Sequence, residues 1–202
     1  MRLAITLGFE STLVIRAVAR LPRADDYILL RAYTGTEGDA KSAETAADVI
    51  KALGRGRDFV VDVRDLARGI EQLASLDFDA VALAGGPRSL VLLAFVAAVL
   101  RGAGIYVVPE YAMDPVDAGS LAAAFQLICL SPAKLRVLAE AEGSVDEVAR
   151  RLGLDSSTVY RHFDSLAERG LVNVAEGRSK VYKADKVVRT IAKILLQRSA
   201  QH

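Results

Sequence analysis

This chain of 202 residues is poor in the groups that build metal and disulfide sites. It has one cysteine, Cys129, and two histidines, His162 and His202. A lone cysteine excludes an intramolecular disulfide framework and a cysteine-rich zinc site, and two histidines leave little for an imidazole site. No metal and no redox cofactor are therefore expected. Cys129 stands in the apolar run Phe125–Leu130 and reads as a small buried hydrophobe. Long hydrophobic runs are missing too. The stretch Leu90–Leu100, bounded by Gly86-Pro87 and Gly102, is too short to span a bilayer. Met1-Arg2 leads straight into a short apolar segment without a signal-peptide pattern. A cytoplasmic protein with no membrane partner is expected.

An excess of one charge is also absent, since 26 cationic side chains face 25 anionic ones. That balance hides an asymmetry. Residues 1–130 hold 13 cationic and 16 anionic side chains, a net of −3, whereas residues 131–202 hold 13 and 9, a net of +4. A polyanion partner would favour the second part. With 52% hydrophobic and 25% charged residues, the chain has the composition of one large or two modest packed domains rather than of a disordered segment.

The basic part carries the clearest pattern. Val145, Val148, Ala149 and Leu152 give a short helix an apolar face, Gly153 turns the chain, and Leu154 returns to the core. A second helix, capped by Asp155 or Ser156, buries Val159, Phe163 and Leu166 at i, i+4 and i+7. That spacing turns Ser157, Thr158, Tyr160, Arg161 and Asp164 outward, as a recognition helix in a major groove requires. With Ser156, these residues (Asp164 apart) are the candidate DNA-reading groups. The run Leu171–Ala184 reads as two strands joined by Glu176-Gly177-Arg178-Ser179-Lys180, and Arg178 and Lys180 at its tip suit phosphates. The pattern is a winged helix-turn-helix. The other structure it allows is a helical hairpin and a β-hairpin used for protein contacts. His162, between apolar neighbours on the second helix, reads as structural, with no catalytic role. Val187, Ile191, Ile194 and Leu195 in Lys186–Gln197 form a stripe for a dimerisation helix or for packing on its own domain.

The first part alternates strand and helix. Apolar runs at Leu3–Leu7, Tyr27–Tyr33, Phe59–Val63, Ala80–Ala84 and Ile105–Val108 are separated by helical segments at Ser11–Leu21, Glu44–Leu53, Leu66–Leu76 and Leu90–Arg101. This predicts an α/β domain, a Rossmann-like parallel sheet of about five strands with helices on both faces. The expected organisation is a sheet domain over 1–118, a linker helix over 119–130 and a winged helix-turn-helix over 131–202.

Ligands of such sheets bind at the carboxyl ends of the strands. The first strand leads into Gly8, Phe9, Glu10 and Ser11, where glycine permits a tight turn and the next helix offers free amides. This is not a GxGxxG fingerprint, which disfavours a dinucleotide cofactor. The fourth strand leads into Gly85, Gly86, Pro87, Arg88 and Ser89. Two glycines there would let amides approach a phosphate, Arg88 supplies a cationic fork, and Ser89 could cap the helix or donate to a ligand. Each loop taken singly could also be a plain strand-to-helix turn. The polar segment Thr34–Ser42, with Thr34 and Lys41, is either a lid or a solvated connection. Glu110 and Tyr111 follow the fifth strand at the expected rim.

The opening Ile5-Thr6-Leu7-Gly8-Phe9, the Gly85-Gly86-Pro87-Arg88 turn and the winged helix from Ser131 onward, in that order, resemble the archaeal CRISPR-associated regulators that join a CRISPR-associated Rossmann-fold (CARF) domain to a winged helix. The resemblance covers nearly the whole chain. It implies a transcriptional regulator acting as a homodimer on double-stranded DNA at promoters of CRISPR-associated genes. It also implies a two-fold symmetric pocket for a cyclic oligoadenylate, often cyclic tetra-adenylate. Residue by residue, Gly8, Phe9, Glu10 and Ser11 fall on the first ligand loop, and Gly85, Gly86, Arg88 and Ser89 on the second. Ala84 and Pro87 depart from the family turn, which often has Thr before the glycines and a non-proline after them. The coupling between ligand and DNA would run through Ser120–Leu130. A fused nuclease is disfavoured, because no arginine precedes either histidine with four to six residues between them and Asp39-Ala40-Lys41 lacks a partner carboxylate. Two alternatives remain: a sheet pocket that itself cleaves the cyclic ligand, with Ser11 or Lys41 assisting, and a regulator that senses another nucleotide or metabolite.

Overall fold

The computed structural model describes residues 1–111, 114–176 and 180–199. Arg178, expected at the tip of the wing, lies outside the described residues, as does His202. The chain divides into two compact units, Met1–Gly119 and Ser120–His202.

The first unit is a six-stranded sheet. Its strands are β1 (Arg2–Thr6), β2 (Asp26–Tyr33), β3 (Arg57–Asp62), β4 (Ala80–Leu83), β5 (Gly104–Val107) and β6 (Val116–Asp117), in the order β3-β2-β1-β4-β5-β6. The first five are mutually parallel, and β1 and β4 in the middle of the sheet are almost entirely buried apolar runs, whereas the edge strand β3 begins with exposed Arg57 and Asp58. The short β6 pairs antiparallel with β5 at the edge, and its two exposed residues lack the apolar run that marks the others. Four helices form the crossovers: α1 (Ser11–Val18), α2 (Gly38–Leu53), α3 (Leu66–Ala74) and α4 (Arg88–Arg101). Leu3 and Ile5 of the central strand β1, and Leu7 directly after it, share a core with Val14 and Ala17 of α1 and Ala46 and Val49 of α2. Helices α3 and α4 pack on each other. Strand order reverses between β1 and β4, so the loops after these two strands diverge and leave a crevice.

One expected loop is helical. The segment Thr34–Ser42, read as a lid or solvated connection, enters α2 at Gly38, so Lys41 is a helix residue. The Gly-Asp-Ala-Lys-Ser sequence has no apolar periodicity to betray this turn. Its helix is stabilised instead through the buried Ser42, Thr45, Ala46 and Val49.

The second unit contains α5 (Gly119–Leu127), α6 (Pro132–Ala139), β7 (Glu142–Ser144), α7 (Val145–Leu152), α8 (Ser156–Ala167), β8 (Asn173–Ala175), β9 (Val181–Lys183) and α9 (Lys186–Ser199). Side-chain caps fix its helix starts. Ser131 caps α6, Ser144 and Glu147 form a reciprocal capping box on α7, and Asp155 accepts from the Ser157 and Thr158 amides at the start of α8. Gly153 ends α7 in the left-handed region, φ 63°, with open space around it. The strands form an antiparallel sheet in the order β7-β9-β8, so the wing has a third strand beyond the expected two.

Phe163 of α8 stacks on Tyr182 of β9 with ring centroids 4.3 Å apart, at the heart of the second core. Ala123 and Leu127 of α5 and Leu130 join that core, so the segment expected as a linker packs into the second unit. Cys129 is exposed rather than buried. The helix ends at Leu127, and the turn after it releases the side chain from the apolar face the run suggested. The α9 stripe divides: Ile191 and Leu195 pack on the unit's own core beside Val188 and Ala192, while Val187 and Ile194 are exposed. Among the described residues, no helix is long and apolar enough to cross a membrane.

Candidate functional site

The crevice of the first unit opens into a cavity of about 600 Å³ at the carboxyl ends of the strands. Its wall is assembled from Leu7–Glu10 after β1, Ala32, Thr34 and Thr36 around the end of β2, Ala84–Pro87 after β4, and Glu110 after β5. Leu13 and Val14 of α1 and Gly38, Asp39 and Ser42 of α2 complete it. Six of the residues expected at a ligand site therefore line one cavity: Gly8, Phe9, Glu10, Thr34, Gly85 and Gly86. Ser11, Lys41, Arg88 and Ser89 do not line it. Arg88 is exposed at the first turn of α4, directly after the lining residue Pro87, and Lys41 holds its ammonium 5.0 Å from the centroid of the Phe9 ring.

The glycines here also let two loops of the unit meet. A Cβ on Gly8 would lie 2.8 Å from the Gly86 nitrogen, and a Cβ on Gly86, whose φ is +97°, would lie 2.7 Å from the Leu7 carbonyl oxygen. The two loops pack backbone against backbone, which only glycine allows. Buried Thr6 locks the same junction, its hydroxyl oxygen lying 3.0 Å from the Ala84 amide and 3.2 Å from the Gly85 amide, from which it accepts. The close approach at these glycines is between loops within the unit.

Asp39 is the ionisable lining residue that was not singled out from sequence. Its carboxylate accepts from the Thr34 amide at 3.0 and 3.1 Å, from the Thr34 hydroxyl at 2.7 Å and from the Gly35 amide at 2.8 Å. The Thr34 hydroxyl bond, followed by the amide bonds, holds the carboxyl below the ordinary aspartate range despite the opposing effect of burial. Thr34 is thereby committed to shaping the loop. An aspartate five residues after a strand-end threonine, at the start of a helix, is the signal that would have found it.

Helix ends separate the cavity from the rest of the fold. Helices α1, α2 and α4 begin at the cavity wall, and none has a side-chain cap; Glu10, Glu37 and Pro87 stand at their cap positions. Ser89 lies inside α4 and caps nothing. Helix α3, which starts away from the cavity, is capped by Asp65. The positive ends of three helix dipoles, without side-chain caps, thus meet the cavity's rim.

The second candidate surface lies on α8. Val159, Phe163 and Leu166 are buried, whereas Ser157, Tyr160, Arg161 and Asp164 are exposed, Tyr160 by 45%. Thr158 is half-buried and accepts a 3.4 Å bond from Arg161. Ser156 donates to Asp146 of α7 at 2.7 Å, and the Ser157 hydroxyl donates to Asp155. These serines stabilise the helix-turn-helix, leaving Tyr160 and Arg161 as the long side chains that project from its face. Lys180, exposed just before β9, extends the same basic unit. His162 is half-buried. Desolvation first, then the neighbouring Lys134 and Arg161 charges, hold its pKa below the ordinary value, so the imidazole is neutral near pH 7.

Comparison with known proteins assigns both units. Residues 1–117 match the Csa3 CRISPR-associated Rossmann-like domain, and residues 135–187 match the sugar-specific transcriptional regulator TrmB. The chain is 44% identical to a protein of Thermoproteus tenax over 201 residues, 98% of each; that relative is named Csa3, related to a CRISPR locus and provisionally described as DNA-binding. Among solved structures, Can2 from Sulfobacillus thermosulfidooxidans in complex with cyclic tetra-adenylate covers all of this chain and 66% of its own, at 14% identity and a TM-score of 0.45. A MarR-family regulator from Rhodococcus sp. RHA1 covers 41% of this chain and 66% of its own, at 29% identity and a TM-score of 0.32. Structural likeness at that level carries no argument about ligand or mechanism.

Proposed function

The chain belongs to the Csa3 family of CRISPR-associated DNA-binding regulators, which join a CARF-like Rossmann domain to a helix-turn-helix, and from that premise we propose that it is a sensor of cyclic oligoadenylate. The cavity of the first unit receives part of the cyclic ligand, cyclic tetra-adenylate by preference. Two chains present it symmetrically, and occupancy alters the affinity of the α8 surfaces for promoters of CRISPR-associated genes. The observation that carries this reading is the cavity itself, where four strand ends meet the uncapped starts of three helices. A cyclic ligand with two-fold symmetry suits two copies of one such cavity. Tyr160 and Arg161 contact base edges in the major groove, and Lys180 contacts phosphate. The protein works by binding rather than by turnover.

Calorimetric titration with cyclic tetra-adenylate tests this reading. The expected result is saturation at one ring per two chains, weakened at least about tenfold by Arg88→Ala, which removes a cation beside the mouth. Absence of heat would overturn it. Labelled ring recovered intact after prolonged incubation is the expected outcome for a sensor, and conversion to linear fragments would instead establish a ring-cleaving enzyme.

A further inference from the structure

The ionic lining of the cavity has the wrong sign for a phosphate cradle. Its ionisable lining residues are Glu10, Asp39 and Glu110, with no lysine or arginine among them. Asp39 is committed to Thr34 and Gly35. Among the described residues, Glu10 and Glu110 enter no hydrogen bond or ion pair with the protein. They are set differently from ordinary surface carboxylates. Arg16 of α1 donates to the Pro109 carbonyl at 3.0 Å, fixing the peptide that precedes Glu110, and Glu10 stands at the start of α1 without capping it. Lys41, over Phe9, and Arg88, directly after Pro87, are outside the lining.

An oligoadenylate has two unlike parts, an anionic ribose-phosphate backbone and flat neutral bases. An ionised carboxylate only accepts hydrogen bonds, so it repels the first and welcomes the exocyclic amine of the second. The remaining wall is apolar where Leu7, Leu13, Val14 and Pro87 form it, and the Phe9 ring, 55% exposed, stands at the edge as a stacking surface. A volume of about 600 Å³ is ample for a nucleoside.

We infer that this cavity is a base-reading pocket, in which Glu10 and Glu110 accept from the adenine amine while the ligand's phosphates stay at the mouth, against Lys41, Arg88 and the uncapped helix starts. The inference rests on the cyclic-oligoadenylate reading and adds to it the determinants of base specificity. It makes the carboxylates selective for adenine over a base that presents a carbonyl oxygen at the same position, which would face them lone pair to lone pair.

The test compares cyclic tetra-adenylate with cyclic tetra-inosinate, which keeps ring and phosphates, replaces each amine by a carbonyl oxygen and turns the neighbouring N1 from acceptor to N–H donor. Wild-type protein should bind the adenylate ring at least about tenfold more tightly. In the double variant Glu10→Gln/Glu110→Gln, whose side chains donate as well as accept, the preference should fall to within about threefold, with the melting temperature unchanged because both positions are exposed. Equal wild-type binding of the two rings, or a preference that survives in the double variant, would overturn the inference while leaving the sensor reading intact. If neither ring binds, the sensor reading itself fails and the base pocket fails with it.

Discussion

The two candidate surfaces are built on opposite plans. The α8 surface is drawn from consecutive turns of one helix, positioned by a buried stripe a few residues away in sequence. The cavity is drawn from four strand ends spread between Leu7 and Glu110, and its shape depends on backbone contacts such as Gly8 against Gly86, 78 residues apart. The first is a display of side chains on a rigid rod. The second is a meeting of loops, in which the residues that matter most for shape need not touch a ligand at all. A surface of the first kind is changed one contact at a time, whereas a surface of the second kind is lost when its junction is opened.

The largest test of this contrast removes the packing beneath the display. Phe163→Ala, which empties a fully buried ring position stacked on Tyr182, should cost about 3–5 kcal/mol in denaturant unfolding. DNA binding should disappear with the second unit while the first unit's cavity is retained. Loss of ring binding in that variant would mean the two units do not behave as separate cores.

The next test compares two glycines. Gly86→Ala adds a Cβ 2.7 Å from the Leu7 carbonyl at a positive φ and should cost about 2–4 kcal/mol, whereas Gly153→Ala, at a similar φ sign in open space, should cost about 1 kcal/mol. Equal costs in thermal unfolding would show that the loop junction yields more easily than close packing suggests.

A smaller effect is expected on DNA. Arg161→Ala should weaken a specific site by about 1–3 kcal/mol, and Lys180→Ala should weaken all sequences alike and lower the salt slope by about one. Gel-shift titrations at several salt concentrations distinguish the two, and an unchanged affinity for Arg161→Ala would place that side chain away from the bases.

The smallest effect concerns Asp39. Its carboxyl is held below the ordinary value of 3.8, chiefly by the Thr34 hydroxyl, so the stabilisation is fully present above that pH. It is lost as acidification passes through the lowered folded value. The Gly35 amide resonance should therefore titrate with an inflection below 3.8, and Asp39→Asn should give the acid-shifted position at neutral pH. An inflection at or above 3.8 would mean the carboxylate is not held.

The same contrast explains what was readable without coordinates. The boundaries of α7 and α8 follow from Ser144, Gly153 and Asp155 and from a 3.6-residue apolar period, all local quantities. The five parallel strands are also legible as apolar runs, which are continuous where both faces of the sheet are covered. The helical identity of Gly38–Ser42 was not, since its apolar partners lie across the sheet rather than in its own turn. Nor was the exposure of Cys129, which depends on where α5 stops. At Gly8, Gly85 and Gly86 a close backbone approach was legible, but the contact between the two loops was not: glycine marks a close approach without saying to what.

Sequence alone determined the alternation of strands and helices, the helix-turn-helix and its outward side chains, because each is set by neighbours within one or two turns. Tertiary structure alone decided which strand ends share a cavity. It also decided that Asp39 closes a loop there, that Lys41 and Arg88 stay outside the lining, and that the wall is acidic. Those outcomes depend on a strand order that brings β1 between β2 and β4, a long-range pairing that no local pattern of residues encodes.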